Sequence, residues 1–197
     1  MRSVVGGVLS VVVVVAVVAC SSPREPLPGL TASATVTTAQ TPTPSPTIDY
    51  SDAELGIVFE DDQSLTGDEA EVYHWVATLE TEYWRTLTTN TVSPKLSSIA
   101  SPEIHVRMQQ MADKNASIEG GHIGGVFRVQ VRDVVVEGES ARAVACLDYA
   151  GATFSDPNGS YTPEEAGFGG ISRQELTLAR VADKTWIVLT RTAAGEC

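Results

Sequence analysis

The sequence predicts an α+β fold in which N-terminal helices pack on a curved, four-stranded antiparallel sheet. Between residues 68 and 115, apolar side chains recur every three or four positions, which is the period of an amphipathic helix. From residue 127 onward they alternate with polar side chains, which is the period of a strand with one buried face. Helices followed by a run of strands indicate a helical layer on one face of the sheet.

The chain begins with an apolar segment that has the features of an export signal. Arg2 precedes a run from Val4 to Ala19 that contains no charged residue, as in a secretory signal peptide. The run is shorter than the roughly 20 apolar residues that span a bilayer. It ends in Val17-Val18-Ala19-Cys20, which resembles the lipobox of bacterial lipoproteins. The alternative is a short signal-anchor helix whose cysteine is incidental.

The lipobox resemblance implies a cellular location for the protein. Residues 1–19 would be removed, and Cys20 would carry a diacylglyceryl group at the new N-terminus. Two acyl chains anchor a protein stably, whereas one chain alone is marginal. The expected location is the extracytoplasmic side of the cell membrane. Lysine is scarce while Val, Ala, Thr and Arg are common, which together with the lipobox favours an actinobacterial source.

Residues 20–48 are expected to form a disordered tether, followed by one α+β domain over residues 49–197. The tether is rich in Ser, Thr and Pro and has no apolar period, so it cannot bury enough surface to offset the entropy of ordering. Just after it, the apolar residues from Leu55 to Phe59 are expected to dock as a short strand or turn.

Two helices and one short helical turn are predicted ahead of the sheet. The first helix covers about Asp68 to Thr88, and Thr66 with Glu69 forms a capping-box pattern at its start. A helical turn is predicted over residues 93–99 and another helix over residues 101–115. Each begins with Ser-Pro, an N-cap residue followed by a proline at the first helical position.

Four strands are predicted after the helices. The first begins near Phe127, and its alternation breaks at Asp133, where we expect a β-bulge. A hairpin turn leads into the strand from Ala141 to Tyr149, which is apolar on both faces and is therefore expected to be central. Two further strands over residues 173–181 and 185–192 are joined by a tight turn.

The order of elements, the long bent strands and the final hairpin with Trp186-Ile187-Val188 resemble the NTF2-like (cystatin-like cone) superfamily. The resemblance covers about residues 67–197. It implies an apolar pocket enclosed between helices and sheet. Relatives of this shape include ketosteroid-isomerase-like and polyketide-cyclase-like enzymes, which use an acidic base and a Tyr or Asp oxyanion donor. The alternative is a cystatin-like or another helix-on-sheet domain.

Seven residues are candidates for lining such a pocket. They are Tyr73, Trp84, Met108, His122, Phe127, Asp148 and Trp186. Asp148 with Tyr149 is the best acid–base pair, but neighbouring strand residues point to opposite faces of a sheet. Asp148 is more typical of a strand-end carboxylate paired with an arginine, and the aromatic residues are more typical of a core. His122 lies among glycines and is expected near the mouth of the cone.

Metal and cofactor sites are not predicted. The three histidines are isolated in sequence, with no cysteine or second histidine at ligand spacing. The glycine-rich segment 120–125 lacks the lysine and the spacing of a phosphate-binding loop.

Besides Cys20, the chain has two cysteines, and an exported protein meets an oxidising environment. We expect a disulfide between Cys146, in the central strand, and Cys197, in a tail that could fold back over the sheet. The alternative is a buried free thiol at Cys146 beside a frayed terminal cysteine.

Charge and composition narrow the function without identifying a ligand. The formal net charge of −12 disfavours nucleic-acid binding, which requires a basic surface. The favoured function is a surface lipoprotein whose domain is a non-catalytic binding or interaction module, contacting the membrane through its lipid and an unknown protein or small molecule at the cell surface. The alternative is a small-molecule-binding protein or an isomerase/cyclase-like enzyme that uses the cone pocket.

Overall fold

The computed structural model describes residues 48–60, 64–181 and 185–197, and in this part of the chain the helices precede the long strands. The elements are β1 (Ile57–Phe59), α1 (Gly67–Thr89), α2 (Leu96–Ile99), α3 (Pro102–Ala116), β2 (His122–Glu137), β3 (Ser140–Asp156), β4 (Gly159–Tyr161), β5 (Ile171–Arg180) and β6 (Trp186–Glu196). The predicted α+β class is confirmed.

Within the described residues, the sheet contains six strands rather than the four predicted. Its order is β1-β2-β3-β5-β6, with β4 paired to the end of β3. The four long strands form the predicted antiparallel meander. The two additional strands are short: β1 runs parallel to β2, and β4 folds back on β3 so that Phe154 pairs with Tyr161. No strand is predicted from the sequence at β4, where only three residues pair.

Helix α3 starts where its Ser-Pro signal places it, whereas α2 begins at Leu96 with Lys95 as its N-cap, after the Ser93-Pro94 signal, and the cap of α1 differs from the prediction. Ser101 accepts a hydrogen bond from the N–H of Ile104 (3.4 Å), with Pro102 at the first helical position. Thr66 makes no side-chain capping bond, so the capping box is wrong. The reason is local, because Gly67 has a φ of +58° and the first turn of α1 departs from the geometry that a capping box needs.

Two irregularities bend β2. Asp133 has a φ of +53° where the register with β3 shifts, which confirms the predicted bulge. A second shift follows Gly125, whose φ is +79°. A Cβ atom at Gly125 would lie 2.5 Å from the carbonyl oxygen of Gly151, so only glycine fits there. Such bulges increase the twist of a strand and curve its sheet.

The hydrophobic core lies between the helices and one face of the sheet. Helix α1 packs on β2, β3 and β6, and α3 packs beside it on β6. The inward-facing strand residues are all buried: Phe127, Val129, Val131, Ala143, Ala145, Leu147, Tyr149, Leu176, Leu178, Trp186 and Val188. The alternation predicted for β2 therefore corresponds to a real division between core and solvent.

The predicted disulfide is present on the other face of the sheet. The sulfur atoms of Cys146 and Cys197 are 2.08 Å apart, and their Cα atoms are 5.9 Å apart. The N–H of Cys197 also donates to the carbonyl oxygen of Ile171 (2.9 Å). The C-terminal tail is thus tied to the two central strands of the sheet.

Several predictions fall on residues that the structure does not describe. The signal segment 1–19, Cys20 and the tether up to residue 47 lie outside the described residues, as does the turn at 182–184. These expectations stay predictions. In the part of the chain that is described, no helix combines the length and apolar character needed to cross a membrane.

Candidate functional site

The aromatic residues predicted to line a cone pocket instead fill the interior of the domain. Tyr73, Trp84, Phe127 and Trp186 are all 0% exposed. The rings of Trp84 and Phe127 stack with centroids 4.9 Å apart, and Tyr149 lies 4.9 Å from Phe127 and 6.4 Å from Trp84. This stack occupies the space between helix and sheet, so these four residues are core and the prediction that they line a pocket is wrong.

The remaining three predicted residues lie in different places. Met108 is buried on α3 and lines a small cavity. Asp148 lies on the sheet face that the helices do not cover, opposite Arg128 in the register. Its carboxylate accepts a bond from the N–H of Ala150 (2.8 Å), while Arg128 pairs with Glu60 (2.6 Å). The expected pairing of Asp148 with an arginine is therefore wrong. His122, the first residue of β2, lies on the rim of a much larger cavity.

That larger cavity, which we call the end cavity, has a volume of about 530 Å³. It opens where the sheet extends beyond the helices, between the C-terminal ends of α1 and α3, the start of β2, the end of β3, and the segment from Tyr161 to Phe168. Its volume is within the range of small-molecule sites, roughly 300–1,000 Å³. His122 is the one residue of the predicted pocket set that lines it.

The floor of the end cavity is apolar. It is lined by Leu87, Met111, Ile118, Ile123, Phe154 and Phe168. Phe168 stacks on Phe154 with centroids 5.0 Å apart and also contacts Tyr149, so the loop is fixed to the core by aromatic packing. Ile118 is 49% exposed at the edge. An apolar ligand would remove such surface from water.

The rim of the end cavity carries charges of both signs. Lys114, Asp156 and Glu165 supply these charges, and His122 also lines the rim. The N–H of Asn158 lowers the pKa of Asp156, and Asp156 in turn accepts a bond from the Tyr161 hydroxyl (2.9 Å), which raises the pKa of Tyr161. Apolar walls with a few polar groups at the mouth are typical of binding pockets.

A smaller cavity of about 120 Å³ lies between α1, α3 and β6. We call it the arginine cavity because Arg107 and Arg191 both line it, together with Tyr83, Ile104, Met108 and Met111. No local pattern in the sequence predicts this cavity. One signal was present: Glu80 lies beside the apolar stripe of α1, and a charged residue there points to a buried partner.

Glu80 is that buried group, and Arg191 is its partner. The carboxylate is 0% exposed and accepts two hydrogen bonds from Arg191, at 2.9 and 3.0 Å. The guanidinium also lies over the ring of Tyr83, 4.2 Å from its centroid. Burial works against the charge on Arg191, but the Glu80 carboxylate and its hydrogen bonds raise the pKa of Arg191 above its ordinary value. Arg191 therefore keeps its positive charge although it is buried.

A buried hydroxyl pair lies behind this ion pair. The hydroxyls of Tyr83 and Tyr149 are 2.8 Å apart. Burial, followed by the neighbouring Tyr83, raises the pKa of Tyr149 well above its ordinary value. Both tyrosines are hydrogen-bonded within the core, which suits a structural role better than proton transfer. In the described residues, no group of three or more His, Cys, Asp and Glu side chains is placed to hold a metal ion.

Comparison with known proteins gives a fold and no family. No protein-family model matches the chain, and no curated protein matches it. A solved structure that does match is the crystal structure of the intermembrane space region of the chloroplast protein ARC6, with a TM-score of 0.50 and 13% sequence identity. The match covers 67% of this chain and 100% of that chain. At this identity, the chain is similar to the ARC6 region in fold alone.

Proposed function

We propose that this protein is a surface lipoprotein whose NTF2-like domain is a non-catalytic binding module, with the end cavity as its binding site. The observation that carries the proposal is the composition of that cavity. It has a volume of about 530 Å³, an apolar floor and a rim of mixed charge. A pocket of this kind binds an amphipathic molecule by burying its apolar part and orienting its polar part.

The placement of the candidate acid–base residues argues for binding rather than isomerase- or cyclase-like catalysis. Asp148, the best candidate base, is on the sheet face opposite the core, and its carboxylate is engaged by Ala150. Tyr149 is buried among aromatic rings and is bonded to Tyr83. A general base must reach the proton that it abstracts, and neither residue lines the end cavity.

The leader supports the anchoring part of the proposal. A lipidated Cys20 would hold the domain on the extracytoplasmic side of the membrane, at the end of a tether. Cells that express the full chain would be labelled with a palmitate analogue, and the wild type compared with Cys20→Ala. We expect label on the wild type and on a matched Cys197→Ala control, and none on Cys20→Ala. Equal label on all three would refute the anchor.

The binding part is tested by filling the end cavity. Ala166 lines it, so Ala166→Trp would occupy part of its volume, whereas Ala150→Trp places the same side chain at an exposed strand position. The full chain in lipid nanodiscs would be titrated with the neutral dye N-phenylnaphthylamine. We expect Ala166→Trp to weaken dye binding at least tenfold and Ala150→Trp to leave it unchanged. The nanodisc lipid binds the same amount of dye in every sample. Equal dye binding by the wild type, Ala166→Trp and Ala150→Trp would therefore refute the site.

A further inference from the structure

We propose that the arginine cavity and the end cavity together bind one ligand, a medium-chain carboxylate, with its head group at Arg107 and Arg191 and its alkyl chain in the end cavity. This inference rests on the proposed function, because it assigns a ligand class to the same site. It depends on three features: the two cavities share a wall, one of them presents unused guanidinium donors, and the other is apolar.

Met111 is the shared wall. It lines both cavities. On α3, Arg107 lies four residues before Met111 and Asn115 four residues after it, so one helical face runs from the arginine cavity into the end cavity over about 12 Å. On α1, Tyr83 lines the first cavity and Leu87, one turn later, lines the second. The two cavities therefore lie along one groove between α1 and α3.

The head-group end offers donors that the protein does not use. Arg191 directs Nε and Nη2 at Glu80, but within the described residues its Nη1 has no hydrogen-bond acceptor. Arg107 donates through Nη1 to the main-chain oxygen of Arg191 (3.3 Å) and through Nη2 to Glu103. The planar guanidinium matches a carboxylate with two parallel N–H bonds.

The arginine cavity favours an anionic ligand, because such a ligand can displace Glu103 from its exposed ion pair with Arg107. Glu80 neutralises Arg191 and is buried with it, so that pair stays intact. The pair between Arg107 and Glu103 is different, because both side chains are more than half exposed. Such exposed pairs contribute little. Arg107 can therefore exchange Glu103 for a ligand carboxylate while Arg191 supplies Nη1 from a fixed position.

The tail end suits an alkyl chain. Met111 lies between the head-group donors and the floor formed by Leu87, Ile118 and Phe154. Methionine is unbranched and adapts its conformation, so it can move aside for a chain without loss of the fold. The distance along α3 is comparable to the length of an extended decanoate molecule, which is the probe that we select.

The test compares decanoate with decanol, which has the same chain and no charge. The full chain in lipid nanodiscs is titrated with each, and displacement of N-phenylnaphthylamine gives the affinities. Charge-assisted hydrogen bonds predict a preference for decanoate of roughly tenfold or more. Arg107→Gln should abolish this preference. Arg128→Gln is the matched control because Arg128 is similarly exposed but lies on the other face of the sheet, and it should keep the preference.

Methyl NMR locates the ligand independently. Met108 lines the arginine cavity alone, whereas Met111 lines both cavities. With methyl-labelled methionine, decanoate should shift both signals in the wild type and only Met111 in Arg107→Gln. Equal affinities for decanoate and decanol, or a preference that survives in Arg107→Gln, would overturn the head-group assignment while dye binding still supports the end cavity. If the wild type also bound the dye no better than Ala166→Trp does, the proposed function itself would be overturned.

Discussion

The buried pair of Glu80 and Arg191 gives the sharpest prediction about stability. Arg191→Met removes the cation and leaves a carboxylate at 0% exposure without its two hydrogen bonds. Removing one partner of a buried ion pair costs about 3–5 kcal/mol. The lost contact between the guanidinium and the Tyr83 ring adds about 1 kcal/mol. We therefore expect the free energy of unfolding to fall by about 4–6 kcal/mol, a large part of the total for a domain.

The double variant Arg191→Met/Glu80→Leu separates the ion pair from simple packing. Replacing both charges with apolar groups of similar volume is often neutral or stabilising, so only the lost contact with Tyr83 remains. We expect the double variant to lie within about 1–2 kcal/mol of the wild type, although it carries one more substitution than Arg191→Met.

Urea unfolding of the full chain in nanodiscs, followed by tryptophan fluorescence, measures both variants. The buried residues Trp84 and Trp186 report on the core. Arg107→Gln serves as a control, since its exposed pair with Glu103 should contribute at most about 1 kcal/mol. If Arg191→Met costs less than about 1 kcal/mol, or if the double variant is less stable than Arg191→Met, the reasoning about a buried unpaired carboxylate is refuted.

Three further predictions test the fold. Reduction of the Cys146–Cys197 disulfide, which closes a loop over a separation of 51 residues, should lower the free energy of unfolding by about 4 kcal/mol; an unchanged urea midpoint with dithiothreitol would contradict this. Gly56→Ala places a Cβ 2.2 Å from the Gly125 carbonyl oxygen, whereas Gly138→Ala meets nothing within 4 Å, so urea unfolding should show Gly56→Ala to be the more destabilising by at least about 1 kcal/mol. Asp133→Val should cost about 1–2 kcal/mol because φ is +53° there, and Asp133→Asn, which tolerates this backbone, should have no effect; equal melting temperatures would contradict the strain.

Features set by short stretches of sequence could be predicted. The helix from Pro102 to Ala116 begins at its Ser-Pro signal, and the bulge lies at Asp133, where the alternation breaks. The disulfide could also be predicted, because the expected export of the chain and the expected lipidation of Cys20 leave a single pairing for the other two cysteines. In each case neighbouring residues or a count of residues carry the information.

Features that join distant segments could not be predicted from the sequence. The pairing of Glu80 with Arg191 spans 111 positions, and no local period indicates which arginine a buried glutamate contacts. The sequence correctly favours the aromatic residues as core, but which of them could line a cavity depends on how closely they stack. Trp84, Phe127 and Tyr149 leave no space between them, and that follows only from the assembled layers.

The position of the end cavity depends on Gly151, which lies inside β3. The predicted strand ends at Tyr149, just before Gly151, a residue type that weakens strand interiors, yet β3 continues to Asp156, some 24 Å beyond Tyr149 at the usual rise per residue. The glycine is needed because a Cβ there would lie 2.9 Å from the carbonyl oxygen of Val126, at the second bulge of β2. The extension carries Phe154 and the β4 hairpin past the ends of the helices, so the sheet is uncovered at that end. Gly151 therefore makes the extension of β3 difficult to predict, and the same extension forms one wall of the end cavity in which we place the ligand.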